Sequence, residues 1–233
     1  MSQSFDFEQQ WLFKFSRCLD AVAGAEVREQ VLQGSEGLSD KSSREQVIAW
    51  SKAAMERLDA LVDDVQKRRD IVTGCACSYP KPQLEPIRAA YEETGDPDLA
   101  HQMLQEQFES LLRDRLQLKE AIIEEIVKRG WGSAGTMRGR TIIATKIPKS
   151  GNLLEYMQEE DPERRRQLYC HCPRVRDALN MGQNLPQTYC YCGAGFYKGI
   201  WEEILQRPVQ VEVLETVQQG GEVCTIAIHL PTD

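Results

Sequence analysis

Apolar residues recur at helical spacing from the start of the chain. Phe7, Trp11, Leu12, Phe15, Leu19 and Val22 fall on one side of a helix that ends near Gly24. Residues 34–43, rich in Gly, Ser and charge, read as a loop. Val47, Met55, Leu58, Val62 and Val65 then form the stripe of a second helix, from Arg44 to Val72, with Gly74 just past its end. Cys75 to Pro82, with prolines at 80 and 82, is an irregular segment. A short helix from Leu84 to Glu93 stops at Gly95. Asp96 as N-cap and Pro97 at the first helical position start the next one. It runs to Arg129 unless it breaks near Asp114, and Gly130 terminates it.

Beyond residue 130 the pattern changes. Thr141 to Ile147 is β-branched, bounded by Gly139 and Pro148, and predicts a strand. Leu153 to Gln167 predicts two short helices hinged at Asp161-Pro162, and Tyr169 to Cys172 a short extended segment. Tyr189 to Gln206 predicts a glycine-punctuated turn leading into a helix that carries Phe196, Ile200, Trp201 and Leu205. The last residues carry the clearest signal. Val209 to Val217 alternates apolar and polar, Gln219-Gly220-Gly221 turns, and Val223 to Leu230 returns as the second strand of a β-hairpin. Helices first and strands later imply an α+β fold, a helical N-terminal half packed on a small antiparallel sheet. The expected division is a helical region, 1–130, and an α+β cysteine-rich, ligand-binding-like region, 131–233, either separate or one continuous domain. There is no internal repeat.

Charge narrows the function classes. The formal net charge is −8 over 233 residues, and an acidic surface repels phosphate backbones, so no nucleic-acid partner is expected. The basic run Arg164–Arg166 follows the acidic stretch 159–163 and reads as a solvated helix face. No apolar run approaches the ~20 residues of a membrane span, and Met1 to Glu8 has no basic or apolar leader. A cytoplasmic, reducing compartment follows as the expectation, with the eight cysteines kept as thiols rather than as a disulfide framework.

Six of those cysteines form Cys-x-Cys pairs: Cys75/Cys77, Cys170/Cys172 and Cys190/Cys192. In extended backbone such a pair puts both sulfurs on one face, which suits a soft metal better than a disulfide. Zinc takes four ligands, and Cys170, Cys172, Cys190 and Cys192 supply that number, with Cys224 as a fifth candidate. The alternative is burial as small hydrophobes, the expected role of Cys18. Cys190 and Cys192 precede a predicted helix, whose N-terminus would favour a thiolate, with Gly193, Gly195 and Gly199 allowing close approach. The histidines add less. His171 points away from its flanking cysteines on an extended segment, His229 lies near the end of an edge-like strand, and His101 has no partner in sequence. A Cys190–His171 nucleophile pair stays open. Elbow, P-loop and dinucleotide motifs are lacking.

Tyr169-Cys170-His171-Cys172-Pro173, the run from Tyr189 to Gly199 and the hairpin ending at Cys224 together resemble a bacterial cysteine-rich family of unknown function. More distantly, they are similar to 4-vinyl reductase-type small-molecule-binding domains and to L-2-amino-thiazoline-4-carboxylic acid hydrolase-like proteins. The resemblance covers about residues 165–230. It implies a small-molecule scaffold with a zinc site, in which Cys190 and Cys224 match the first and last ligand positions. The two positions between, a Glu and a Cys in the family, are Val213 and Thr216 here, leaving Cys170, Cys172, Cys192 or Glu215 to complete the set.

The expected function is therefore a small-molecule-binding or sensing domain with a cysteine-thiolate zinc site. Trp201, Phe196 and Ile200 line its pocket or simply fill the core. The alternative is an enzyme: a thiol- or metal-dependent hydrolase of a small amidine or amide, or a redox protein. A third expectation is a homodimer through the helix from Leu99 to Val127. Met103, Leu104, Phe108, Leu111 and Leu112 are nevertheless enough to explain an intramolecular core there.

Overall fold

The computed structural model describes residues 5–232. They form an α+β fold of many short helices and one four-stranded antiparallel sheet. The chain divides into two compact units. The first joins Met1–Cys77 to Cys172–Gly195, and the second joins Ser78–His171 to Phe196–Asp233. Residue 130, where the sequence pattern changes, lies inside the second. Among the described residues no helix is long and apolar enough to cross a membrane.

The first unit opens with α1 (Phe7–Ala23), capped by the Asp6 side chain, which accepts from the Gln9 amide; Trp11, Phe15 and Leu19 are buried on one face. The next helix, α2 (Ala25–Leu32), follows at once and escapes the periodicity because Val31 is its one buried residue. The loop at 34–43 leads to α3 (Arg44–Leu61), which starts on a capping box between Ser43 and Gln46. Val62 is extended rather than helical. The chain then restarts as α4 (Val65–Thr73), with Asp64 accepting from the Gln66 and Lys67 amides. Thus the single helix expected from Arg44 to Val72 is two, because the Asp64 side chain offers the backbone a new N-cap. Arg68 braces the corner, donating to the Val62 carbonyl at 2.5 Å and pairing with Asp59 at 3.3 Å.

In the second unit α5 (Lys81–Thr94) begins earlier than expected, with Pro82 in its first turn, and ends on Gly95 in the left-handed region. The expected Asp96-Pro97 start is observed in α6 (Pro97–Ser110). A π-helical turn at Leu111–Arg115 then loosens the winding, and α7 (Glu120–Lys128) forms separately. The break falls where the sequence allowed it, near Asp114. A three-residue strand, β1 (Thr136–Arg138), pairs with β2 (Thr141–Thr145). The two short helices hinged at Asp161-Pro162 are α8 (Leu153–Gln158) and α9 (Pro162–Tyr169).

The chain returns to the first unit with α10 (Pro173–Asn180), which the sequence reading did not anticipate, and a 3-10 turn at Gln187–Cys190. That turn runs directly into α11 (Tyr191–Leu205). Helical winding therefore starts before Cys190, and Gly193, Gly195 and Gly199 lie inside a helix rather than in a turn. The hairpin is β3 (Gln210–Glu215) and β4 (Thr225–His229), with a register shift between Val213 and Glu215. The sheet order is β1-β2-β4-β3, so the last strand is interior. His229 accordingly sits on a central strand and not on an edge, its Nδ1 3.2 Å from Thr141 Oγ1. Ile142, Ala144, Ile226 and Ile228 bury one face of the sheet. Tyr156, with rings of Trp131 and Tyr169 at 5.8 and 5.5 Å, anchors the aromatic core of this unit, and Ile200 and Trp201 are fully buried.

Candidate functional site

The first unit holds a buried arginine. Arg174, in the first turn of α10, is 0% exposed and faces Glu8 of α1, which is 1% exposed. Its Nε donates to Glu8 Oε2 at 2.8 Å and its Nη2 donates to the same oxygen. The other Glu8 oxygen accepts from Arg44 Nη1 at 2.9 Å, and Arg44 Nε donates to Asp177 at 2.6 Å. Two guanidinium groups alternate with two carboxylates, so the charge is balanced where it is buried. The Arg174 guanidinium carbon lies 4.0 Å from the Trp11 ring centroid and 5.8 Å from that of Trp50, a cation–π contact strengthened by exclusion of water.

Not every donor in this network is satisfied. Among the described residues Arg174 Nη1, Arg44 Nη2 and Trp11 Nε1 are buried without a hydrogen-bond partner. Buried donors are normally paired, so these three stand out from the rest of the network. Tyr189 and Cys172 adjoin it. The Tyr189 ring stacks on Trp11 at 5.8 Å, and its hydroxyl meets Cys172 Sγ at 3.3 Å. Burial first, and then the nearby Cys172 sulfur, push the Tyr189 hydroxyl well above its ordinary range, while Arg174 opposes them.

A second group of sulfurs comes together where α1, α4 and α11 converge. At Gly195 an added Cβ would lie 2.0 Å from the Thr73 carbonyl oxygen, and at Gly74 it would lie 2.4 Å from Cys18 Sγ. The missing side chains permit both approaches. Cys75 is 2% exposed and donates to the Ile71 carbonyl at 3.3 Å. Burial, then Cys18 and Cys192, drive its thiol well above the usual thiol range. Cys18 moves the other way, to about 7. A hydrogen bond from Cys75 is the main cause, burial opposes it, and Arg17 and Lys14 assist. Cys18, expected to be filler, thus carries a sulfur shifted toward the thiolate.

The remaining candidates are divided. Cys172, Cys190 and Cys192 belong to the first unit, Cys170 and Cys224 to the second. Cys77 is exposed and Cys170 buried. In the second unit the Cys224 amide donates to the Tyr169 hydroxyl at 2.9 Å, and that hydroxyl donates to the Lys146 carbonyl. Burial raises the Cys224 thiol. The His171 ring donates through Nε2 to the Ile147 carbonyl at 2.8 Å; desolvation against that segment, and then Lys146, bring it down to about 4. All three histidines fall in the second unit, so the first contains none. Among the described residues no group of three or more His, Cys, Asp and Glu is placed to hold a metal ion.

Sequence reasoning missed Glu8, Arg174 and Tyr189. Glu8 does share the helical face of Trp11 and Phe15, three and seven residues on, and a carboxylate on an apolar face is a signal of a buried partner. Arg174 and Tyr189 sit on a helix and a 3-10 turn that periodicity did not resolve.

Residues 156–233 match a family of unknown function (DUF6144). The matched segment is about the last third of the chain. No curated protein matches, and no solved structure does.

Proposed function

We propose that this protein binds or senses a small molecule bearing a carbonyl or carboxylate group, met in the first unit by Arg174. The observation that carries the reading is Arg174 Nη1, a fully buried donor without a partner. Glu8 already neutralises the guanidinium, so the ligand need not be charged; an amide oxygen serves as well as an acid. Trp11, Tyr189 and Cys172 supply apolar and polarisable surface beside it, the mixture typical of small-molecule sites. Zinc, which the family resemblance implies, is not required by this reading.

The test is a thermal-shift and calorimetric panel of acetate, propionate, benzoate, acetamide and benzamide. At least one compound should raise the melting temperature and slow alkylation of Cys172. Arg174→Lys, which keeps the charge but loses the fork, should weaken that effect. A flat panel, or binding indifferent to Arg174, would overturn the proposal. The second reading, a thiol-dependent hydrolase of a small amide or amidine, draws on the lowered Cys18 thiol. It predicts a stoichiometric burst with p-nitrophenyl acetate that Cys18→Ser abolishes.

A further inference from the structure

The two sulfurs that respond to each other in the first unit lie on elements packed side by side. One turn before Cys18, Lys14 Nζ donates to the Ala76 carbonyl at 2.7 Å, which holds that face of α1 on the segment 74–76. Cys18 Sγ then occupies the space that a side chain at residue 74 would fill, 2.4 Å from the position of an added Cβ. It therefore rests against the backbone immediately before Cys75. Their environments differ: Cys18 is half-buried and reaches solvent, whereas Cys75 is shielded.

We propose that Cys18 and Cys75 form a peroxide-reactive dithiol, in which Cys18 takes the oxidant and Cys75 closes a disulfide. The Cys18 thiolate attacks one oxygen of hydrogen peroxide; the O–O bond breaks, leaving Cys18 as a sulfenic acid and releasing hydroxide, which leaves as water once protonated. The Cys75 sulfur then attacks the Cys18 sulfur, the S–O bond breaks, and the thiol proton and hydroxide leave as a second water. Two thiols and one peroxide give one disulfide and two waters, the sulfurs losing the two electrons that the peroxide gains. The asymmetry suits the roles: the reactive sulfur needs access and thiolate character, while the shielded Cys75 stays a thiol until it attacks and gives its proton to the departing hydroxide. The lowered titration of Cys18 supplies thiolate at neutral pH. The single Cys75 proton rests on the Ile71 carbonyl at 3.3 Å; turned toward Cys18 instead, it is what steadies that thiolate.

Cys192, which acts electrostatically on Cys75, and the exposed Cys77 are the competing partners. The experiment treats the full chain with hydrogen peroxide at neutral pH, blocks remaining thiols, and maps peptides without reduction, with fragmentation between Cys75 and Cys77. The expected product is a Cys18–Cys75 cross-link. Alkylation of Cys18 should fall about tenfold on oxidation and recover with dithiothreitol. Cys75→Ser should instead trap Cys18 as a dimedone-reactive sulfenic acid, and Cys192→Ser should leave the cross-link intact. A cross-link to Cys77 or Cys192, progression of wild-type Cys18 to sulfinic acid, or no reaction would each overturn the proposal.

Discussion

Arg174 lies over the ring of Trp11, its guanidinium carbon 4.0 Å from the centroid, while two of its nitrogens donate to a single oxygen of Glu8. Removing one member of such a pair leaves a bare charge in the core. Glu8→Ala is expected to cost about 3–5 kcal/mol, whereas the double change Glu8→Leu/Arg174→Met should cost far less than the sum of its parts. Urea midpoints for the singles and the double decide it. Additive losses would mean that the pair is not coupled.

Two glycines of α11 should answer oppositely to the same substitution. Gly195→Ala drives a methyl into the Thr73 carbonyl at 2.0 Å and should cost about 1–3 kcal/mol by overpacking. Gly199 has nothing within 4 Å of an added Cβ, so Gly199→Ala should stabilise by about 0.5–1 kcal/mol through helix propensity alone. Thermal unfolding of the two variants provides the comparison.

The Cys18 thiol should react with iodoacetamide along a pH profile centred at about 7. Cys75→Ala removes the main cause and should move the midpoint up toward the ordinary thiol range; Cys75→Ser, which keeps a donor, should move it less. The sign of the linkage follows. Folding lowers the Cys18 titration point, so its contribution to stability is complete above the unfolded thiol range and fades as pH falls through 7. Cys75 is raised, so its contribution holds at low pH and is lost as pH rises. An unchanged profile in Cys75→Ala would dissociate the two sulfurs.

In the second unit, the Tyr169 hydroxyl joins the Cys224 amide to the Lys146 carbonyl. Tyr169→Phe strands both groups inside the protein and should cost about 1–3 kcal/mol. Amide hydrogen exchange at Cys224 should accelerate along with the loss. If Cys224 stays as protected as in the parent, the hydroxyl is not what holds it.

Elements with a strong local cause were legible in the sequence. Phe7 to Val22, the Asp96-Pro97 start and the C-terminal hairpin were each readable, because caps and alternation act within a few residues. What was lost depended on partners distant in sequence. The stripe from Val47 to Val65 hid the new cap at Asp64, since a continuous apolar face can span a corner. The α10 helix, Pro173–Asn180, escapes the pattern because one of its three buried residues, Arg174, is of the type that periodicity counts as surface. The same blindness concealed the candidate site. Arg174 pairs with a residue 166 positions away, and nothing within a few residues of Cys18 announces Cys75 as its neighbour. The sulfurs noticed for their spacing, Cys190 and Cys192, instead lie at a junction of helical turns.

The place of β4 in the middle of the sheet has a consequence for how the protein is made. β2 is synthesised early, yet Thr141 must wait for His229 before its second edge is covered. The first unit is likewise incomplete until residues 172–195 emerge. The second unit waits longer still, since its sheet needs Thr225–His229. Closing the long connections before these strands meet slows folding, and the β2 edge stays open to other chains until β4 pairs with it.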